Sequence, residues 1–154
     1  MTPLTPGPLH DSLARLDGSW AGEEEVFPSP WGPGGPAQGR WNFRFDPARL
    51  SLIHDFTEER AGGHRFDAHG VLTVDPAAGQ IVWFWFDSFG YPPLAPSRGG
   101  WDGDRLILVR HTPRGTGRSV FTIAADRFTH EIGSRLTGEA DFTPVMRGVY
   151  HRLD

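Results

Sequence analysis

The feature that most constrains this chain is a series of short segments in which apolar and polar residues alternate, each ended by glycine or proline. The clearest segment is Arg40–Asp46, where Trp41, Phe43 and Phe45 alternate with polar residues. Alternation with a period of two is typical of a β-strand with one buried face. The 20 glycines and 14 prolines lie between these segments rather than in one tract, which indicates many turns joining many strands.

The segments predict an all-β fold of about ten antiparallel strands with short connections. In a chain of 154 residues, such strands are expected to close into a barrel, because closure removes exposed strand edges. Leu9–Leu16 is the only stretch with helical spacing, and Asp17 and Gly18 end it. We therefore predict a flexible N-terminal arm over residues 1–8 and a single barrel domain over residues 9–154, with one short N-terminal helix.

Composition excludes several classes of function. The chain has no cysteine and a net charge of −4, so it lacks disulfides, thiolate metal sites and the basic surface typical of nucleic-acid binding. No apolar run approaches the ~20 residues of a membrane helix, and the first residues lack the pattern of a signal peptide. We therefore expect a cytoplasmic protein that binds neither nucleic acid nor membrane.

Motifs of catalysis and metal binding are absent from the sequence. There is no Gly-x-Ser-x-Gly elbow, no phosphate-binding glycine loop and no dinucleotide fingerprint. No two histidines have the spacing of metal ligands on one helix. These observations favour a protein without catalytic activity, metal or cofactor.

Polar residues on otherwise apolar strand faces are the candidates for a binding site. If those faces point inward, Glu24, His54, His130 and Tyr150 share the lumen with aromatic residues. An unpartnered buried polar group costs on the order of several kcal/mol, so each needs a neighbour, a water or a ligand. The alternative is a barrel filled by its own side chains, in which these groups satisfy one another. We predict that the barrel binds a small, largely apolar molecule through seven residues: Trp20, Glu24, Trp41, His54, Trp85, His130 and Tyr150.

An acid–base pair of His69 and Asp87 is the alternative from the enzyme class. A carboxylate that orients an imidazole suits hydrolysis or isomerisation, and the two residues lie on successive predicted strands. The alternation of Phe66 and Leu72 places His69 on the outer face, unless a bulge at Gly70 reverses it.

The segment Ile81–Phe86 is apolar on both faces. A strand with one face in water does not need this pattern, so we expect its second face to be covered. The N-terminal helix and a partner subunit in a homodimer are the two alternatives for that cover.

Two sets of motifs resemble known families. Leu16–Gly22 contains a glycine followed two residues later by Trp20, which resembles the Gly-x-Trp opening of the calycins, the lipocalins and fatty-acid-binding proteins. Similarity to the DUF1579 family of unknown function extends over nearly the whole chain, in four segments: Phe27–Gly35, His69–Val71, Trp85–Pro93 and Gly148–Arg152. The resemblance implies a lipocalin-like or fatty-acid-binding-protein-like barrel with Trp20 across its closed end, and it implies no agreed activity.

Two better-understood barrels of this type bind known ligands. Nitrobindins open with a similar Gly-x-Trp-x-Gly pattern and hold haem on a histidine, so a haem protein using His54 or His130 is a further alternative. Fatty-acid-binding proteins end in an Arg-x-Tyr motif, in which the arginine and the tyrosine lie on one strand face and bind a carboxylate. Here Arg147 and Tyr150 are three residues apart and face opposite ways, whereas Tyr150 and Arg152 share a face in reverse order. Simple fatty-acid binding is therefore not predicted.

Overall fold

The computed structural model describes residues 1–30 and 32–154; Trp31, part of the Phe27–Gly35 motif, lies outside the described residues. The chain forms a short helix, α1 (Pro8–Ser12), then a 3-10 turn (Leu13–Arg15), and ten strands: β1 (Gly18–Val26), β2 (Gly35–Phe45), β3 (Ser51–Arg60), β4 (Arg65–Asp75), β5 (Gln80–Asp87), β6 (Ser97–Asp102), β7 (Arg105–Thr112), β8 (Gly115–Ile123), β9 (Arg127–Leu136) and β10 (Thr143–Arg152). Each strand pairs antiparallel with the next, and β1 pairs with β10. The predicted closed antiparallel barrel with one short N-terminal helix is confirmed.

One end of the barrel, which we call the closed end, is plugged by α1 and the turn after it. Leu13, Leu16 and Trp20 are fully buried there, and the Trp20 indole Nε1 donates to the Leu16 carbonyl at 2.9 Å. The guanidinium of Arg152 lies 4.1 Å from the centre of the Trp20 ring. Gly18 makes the sharp passage from helix to strand at a φ of +116°, a conformation that favours glycine.

The N-terminal half of β2 is longer than the sequence predicts. The four prolines and four glycines of Pro28–Gly39 predict a loop over this whole stretch, whereas the strand already begins at Gly35. Glycine and proline in this stretch are typical of a loop, but Ala37 and Gly39 are buried inward-facing positions of a paired strand. Small residues are needed here because larger side chains from neighbouring strands occupy the space in front of them.

The opposite end of the barrel, which we call the mouth, is where β3 and β7 end. There the ladder between β5 and β6 is short, with only Ile81, Val82 and Trp83 of β5 paired to β6. The second half of β5 therefore separates from β6 near the mouth, among the described residues.

The outer face of β5 is partly covered. Trp83 is buried on the lumen side, while Phe84 and Phe86 on the outer side are 38% and 42% exposed. The His69 ring stacks on Phe86 with centroids 5.4 Å apart. Helix α1 lies at the closed end and leaves this face open, so the predicted homodimer stays a prediction. No helix in the described residues is both long and apolar enough to cross a membrane.

Candidate functional site

The mouth half of the lumen holds a cavity of about 270 Å³. Its wall is mainly aromatic and comes from Trp41, Phe56, Phe66, Trp83 and Trp85. Its polar lining comes from Glu58, Arg60, Ser97, Arg110, Arg118, Ser119 and His130. A concave, mainly apolar cavity with a few polar groups is the usual form of a small-molecule site.

Trp41 forms the floor of this cavity. The centre of its ring lies 4.4 Å from that of Phe56 and 5.2 Å from that of Phe43. It also packs edge-on against Phe121 and Tyr150. Aromatic pairs of this kind add about 0.5–1.5 kcal/mol each beyond the buried area, so the floor is held from several sides.

His54 lies in the same aromatic layer and is fully buried. The Trp83 indole Nε1 donates to its Nε2 at 2.8 Å, and because an indole N–H only donates, the proton of the neutral imidazole lies on Nδ1. That Nδ1 has no hydrogen-bond partner among the described residues. Burial, followed by the charge of His69, lowers the pKa of His54 to about 3. His54 is therefore neutral near pH 7.

His130 is the second histidine buried inside the barrel wall, besides His10 in the N-terminal helix, and it lines the cavity. Its Nε2 lies 3.1 Å from the Ser119 hydroxyl, and its ring stacks almost flat on Phe121, with centroids 4.1 Å apart. Its Nδ1 has no hydrogen-bond partner in the described part of the chain. Burial and, to a smaller extent, the charge of His54 lower the pKa of His130 to about 3. This imidazole is therefore also neutral near pH 7.

Glu24 and Tyr150 form a buried hydrogen-bonded pair beside the cavity. The Tyr150 hydroxyl donates a short hydrogen bond to Glu24 Oε2. Burial and the neighbouring Glu58 raise the pKa of Glu24 to about 8, although the Tyr150 hydroxyl acts in the opposite direction. Burial and the charge of Glu24 raise the pKa of Tyr150 above its ordinary value. Glu24 is therefore mainly a neutral carboxylic acid at pH 7.

Glycines on neighbouring strands make room for these polar groups. A Cβ atom at Gly39 would lie 2.7 Å from Glu24 Oε2, and one at Gly148 would collide with the Tyr150 hydroxyl. On β4, a Cβ at Gly70 would lie 2.7 Å from His54 Nε2. Inward-facing glycines opposite inward-facing polar residues are therefore a sequence signal of this site.

The seven predicted ligand-binding residues divide into two groups. Trp41, Trp85 and His130 line the cavity. The other four are buried in the barrel without lining it: Trp20, Glu24, His54 and Tyr150. Their roles in ligand binding stay predictions.

The sequence reasoning missed several residues that line the cavity. Glu58 is 4% exposed and shares the inward face of β3 with His54 and Phe56, so extending the same alternation by two residues finds it. Ser119 and Arg110 follow the alternation of β8 and β7 in the same way. Parity along each strand was therefore the usable signal.

The structure does not bring His69 and Asp87 together as the predicted acid–base pair requires. His69 lies opposite Phe86, and Asp87 lies opposite Ala68, so the two side chains are on opposite faces of the sheet. Asp87 accepts hydrogen bonds from the Trp85 indole at 2.9 Å and from the Phe89 amide at 3.0 Å. Regular pairing through Gly70 shows that no bulge reverses the parity of β4.

The two buried histidines do not fit haem. His54 does not line the cavity, and its Nε2 already accepts the Trp83 hydrogen bond. His130 faces Ser119 through Nε2 and is stacked flat against Phe121. Binding of iron through Nε2 would break the Trp83 contact of His54 and the Ser119 contact of His130. Within residues 1–30 and 32–154, no three His, Asp or Glu side chains are grouped so that they could hold a metal ion.

Several solved structures are similar to this barrel. Rv2717c from M. tuberculosis is 18% identical, with a TM-score of 0.72 over 96% of this chain and 99% of that chain. The S-type phycobiliprotein lyase CPES from Guillardia theta is 8% identical, with a TM-score of 0.67 over 94% of this chain and 92% of that chain. EF1p2_mFAP2b bound to DFHBI is 11% identical, with a TM-score of 0.50 over 94% of this chain and 99% of that chain. At these identities the likeness shows a shared fold.

Two sequence comparisons complete this picture. A family model described as "Protein of unknown function (DUF1579)" matches residues 5–152. No curated protein matches the chain.

Proposed function

This chain belongs to the DUF1579 family of unknown function, and we propose that its barrel binds a small, largely apolar molecule. The observation that carries this proposal is the cavity of about 270 Å³ in the mouth half, walled by aromatic rings. Small-molecule pockets commonly measure about 300–1,000 Å³, so the ligand is a small one. We place this binding in the cytoplasm, in line with the cysteine-free sequence.

The shape of the wall favours a flat ligand. Phe66 and Trp85 stack with their planes 23° apart, and Trp41 closes the floor between Phe56 and Trp85. Flat aromatic faces favour offset stacking or edge contact with a planar partner. Ser119 supplies a hydroxyl at the cavity wall for one polar group of the ligand.

Two structures that share the fold support the proposal in a general way. EF1p2_mFAP2b is bound to DFHBI, so a barrel of this architecture is able to hold a small molecule. The CPES barrel belongs to a phycobiliprotein lyase. These two proteins share only the fold with this chain, whose own aromatic cavity indicates the ligand.

The test is to fill the cavity from a glycine. Gly117 lines the cavity on β8, and a Cβ atom there would meet no atom within 4 Å. Its φ is not positive, so Gly117→Phe introduces a ring without backbone strain. N-phenyl-1-naphthylamine, a neutral dye that fluoresces outside water, is the probe. We expect the wild-type chain to bind it, and Gly117→Phe to bind it roughly tenfold or more weakly because the ring occupies the space.

The matched control is Gly100→Phe on β6. Gly100 also has open space around its Cβ position and a φ that is not positive, and it does not line the cavity. This variant should bind the dye as the wild-type chain does, and both variants should keep near-native melting temperatures. Equal dye binding by both variants, or none by the wild-type chain, contradicts the proposal. Native mass spectrometry of the chain purified from cells gives a second readout, a bound small molecule lost in Gly117→Phe.

A further inference from the structure

The residues that line the cavity include more positively charged side chains than negatively charged ones. Four residues that line it carry a full charge in their ordinary state: Glu58, Arg60, Arg110 and Arg118. Glu58 pairs with Arg60, with Oε1 and Nε 2.5 Å apart. Arg118 is exposed, and its guanidinium lies 4.2 Å over the Phe142 ring. Arg118 and Arg110 both lack a carboxylate within 4.0 Å among the described residues, and of the two only Arg118 is stacked on an aromatic ring.

Arg110 has no counter-ion. It follows Leu106 and Leu108 on the inward face of β7, and both leucines are fully buried. Its side chain is half-buried at the mouth, and no carboxylate of the described residues lies within 4.0 Å of it. Removing a guanidinium from water without a partner is unfavourable, so an anion bound here would be stabilised.

The space beside Arg110 leads into the cavity. Its neighbour on β8 is Gly117, which has no side chain and open space in front of it. Ser119, the next inward residue on β8, lies about 7 Å deeper because a strand rises about 3.3 Å per residue. A ligand with its charged group at Arg110 therefore places its body against Ser119 and the aromatic floor.

We propose that the ligand is a small aromatic or apolar monoacid whose carboxylate pairs with Arg110 while its apolar body fills the cavity. This inference rests on the proposed function and adds the chemical class of the ligand. A guanidinium presents two parallel N–H donors that match a carboxylate. Glu58 lines the same cavity and would repel a second negative charge, which favours a monoanion over a phosphate dianion.

The experiment compares two probes of the same shape, 2-naphthoate and 2-naphthamide. Their affinities are measured by quenching of tryptophan fluorescence, since Trp41, Trp83 and Trp85 line the cavity. We expect the wild-type chain to bind the acid about tenfold more tightly than the amide, because a charge-assisted hydrogen bond is stronger than a neutral one. In Arg110→Gln this preference should disappear, because binding of the acid falls to the level of the amide. Added salt should weaken binding of the acid alone.

The control for charge is Arg98→Gln. Arg98 lies on β6 next to β7, pairs with Asp75 on the surface and does not line the cavity, so its loss should leave the preference intact. Equal binding of acid and amide by the wild-type chain overturns the ligand class and leaves the proposed function standing. Loss of the preference in Arg98→Gln overturns the role of Arg110. Failure of both probes together with the neutral dye overturns the proposed function as well.

Discussion

The closed end and the mouth half of this barrel differ in how they treat buried polar groups. At the closed end each indole N–H has an acceptor: Trp20 donates to the Leu16 carbonyl at 2.9 Å and Trp101 to the Ser12 hydroxyl at 2.7 Å. In the mouth half, Glu24 Oε1 and the Nδ1 atoms of His54 and His130 are buried without partners among the described residues.

The difference indicates that the closed end mainly stabilises the fold, whereas the mouth half mainly serves ligand binding. Satisfied polar groups and close packing stabilise a folded state, whereas buried groups without partners cost free energy. Of these three unpartnered groups only His130 lines the cavity, so its cost is the one that a bound ligand would offset. Changes at the closed end should therefore affect stability, and changes around the cavity should affect binding.

The largest effect is expected for Trp20→Ala at the closed end. Removing a fully buried indole should lower the free energy of unfolding by about 3–5 kcal/mol, and the melting temperature by roughly 10 °C. Urea unfolding measures the first and calorimetry the second. Dye binding measured well below the melting transition should persist, because Trp20 does not line the cavity. Loss of dye binding in a variant that is still folded would show that the two ends are coupled.

A smaller loss of stability is expected for His54→Ala. The substitution leaves a cavity and removes the acceptor of the Trp83 indole, which together should cost about 2–3 kcal/mol. Dye affinity should stay within about threefold of the wild-type value, since His54 itself does not line the cavity. The control is His69→Ala, an exposed histidine, which should change stability by less than about 0.5 kcal/mol. A large loss of affinity with little loss of stability would instead make His54 part of the binding site.

The alternation of apolar and polar residues along the strands was the signal that predicted the fold and part of the candidate site. It indicated a closed barrel, and it assigned Glu24, His54, His130 and Tyr150 to faces that the structure buries. It did so because regular pairing runs through these positions, and the one irregularity in β10, between Pro144 and Met146, lies before Tyr150.

The cavity was not visible in the sequence, because its size depends on residues from separate strands. Trp41 lines an open space rather than filling the lumen partly because other positions of the same wall carry small residues, such as Gly117 and Ser119. Arg110 could be assigned to an inward face, but the absence of a counter-ion depends on distances across the barrel. The start of β2 was missed because Gly35–Gly39 has the composition of a turn, while in the strand Ala37 and Gly39 are buried and Gly39 leaves room for Glu24.

The shifted pKa values of Glu24, His54 and His130 predict an optimum of stability near pH 6.5. Unfolding should return the pKa of Glu24 from about 8 to 4.5, so the native state holds more protons and stability falls as pH rises towards 8. The histidines have pKa values of about 3 when folded and 6.5 when unfolded, so stability falls as pH drops below 6.5. Each group changes the free energy of unfolding by at most about 1.4 kcal/mol per pH unit.

Urea unfolding at pH 5.5, 6.5 and 8 measures both limbs of this curve. Between pH 4.5 and 6.5 Glu24 opposes the histidines, but two groups outweigh one, so the maximum stays near 6.5. In Glu24→Gln, which mimics the neutral acid, the net loss of roughly 1 kcal/mol between pH 6.5 and 8 should disappear, because only the smaller gain from the two histidines remains. Stability that keeps rising to pH 8 in the wild-type chain would show that Glu24 is ionised in the folded state.

The smallest effect on the free energy of unfolding is expected for Tyr150→Phe. The informative measurement is how this effect changes with pH. The change removes one hydroxyl from a fully buried ring and should cost about 1 kcal/mol at pH 6.5. The Tyr150 hydrogen bond lowers the pKa of Glu24, because it stabilises the ionised form. Without this hydrogen bond the pKa of Glu24 should lie above 8. In the wild-type chain the loss of stability with rising pH levels off once Glu24 is ionised, so in Tyr150→Phe the loss should continue to a higher pH.

The cost of Tyr150→Phe should therefore grow between pH 6.5 and pH 9, while in a Glu24→Gln background it should stay constant. Urea unfolding of the four chains at both pH values gives this double-mutant cycle. Dye affinity should not change, because neither residue lines the cavity. A cost that is the same at both pH values would mean that the hydroxyl does not distinguish the two forms of Glu24. A loss of dye binding would place the pair in the binding site and move the boundary between the two halves deeper into the barrel.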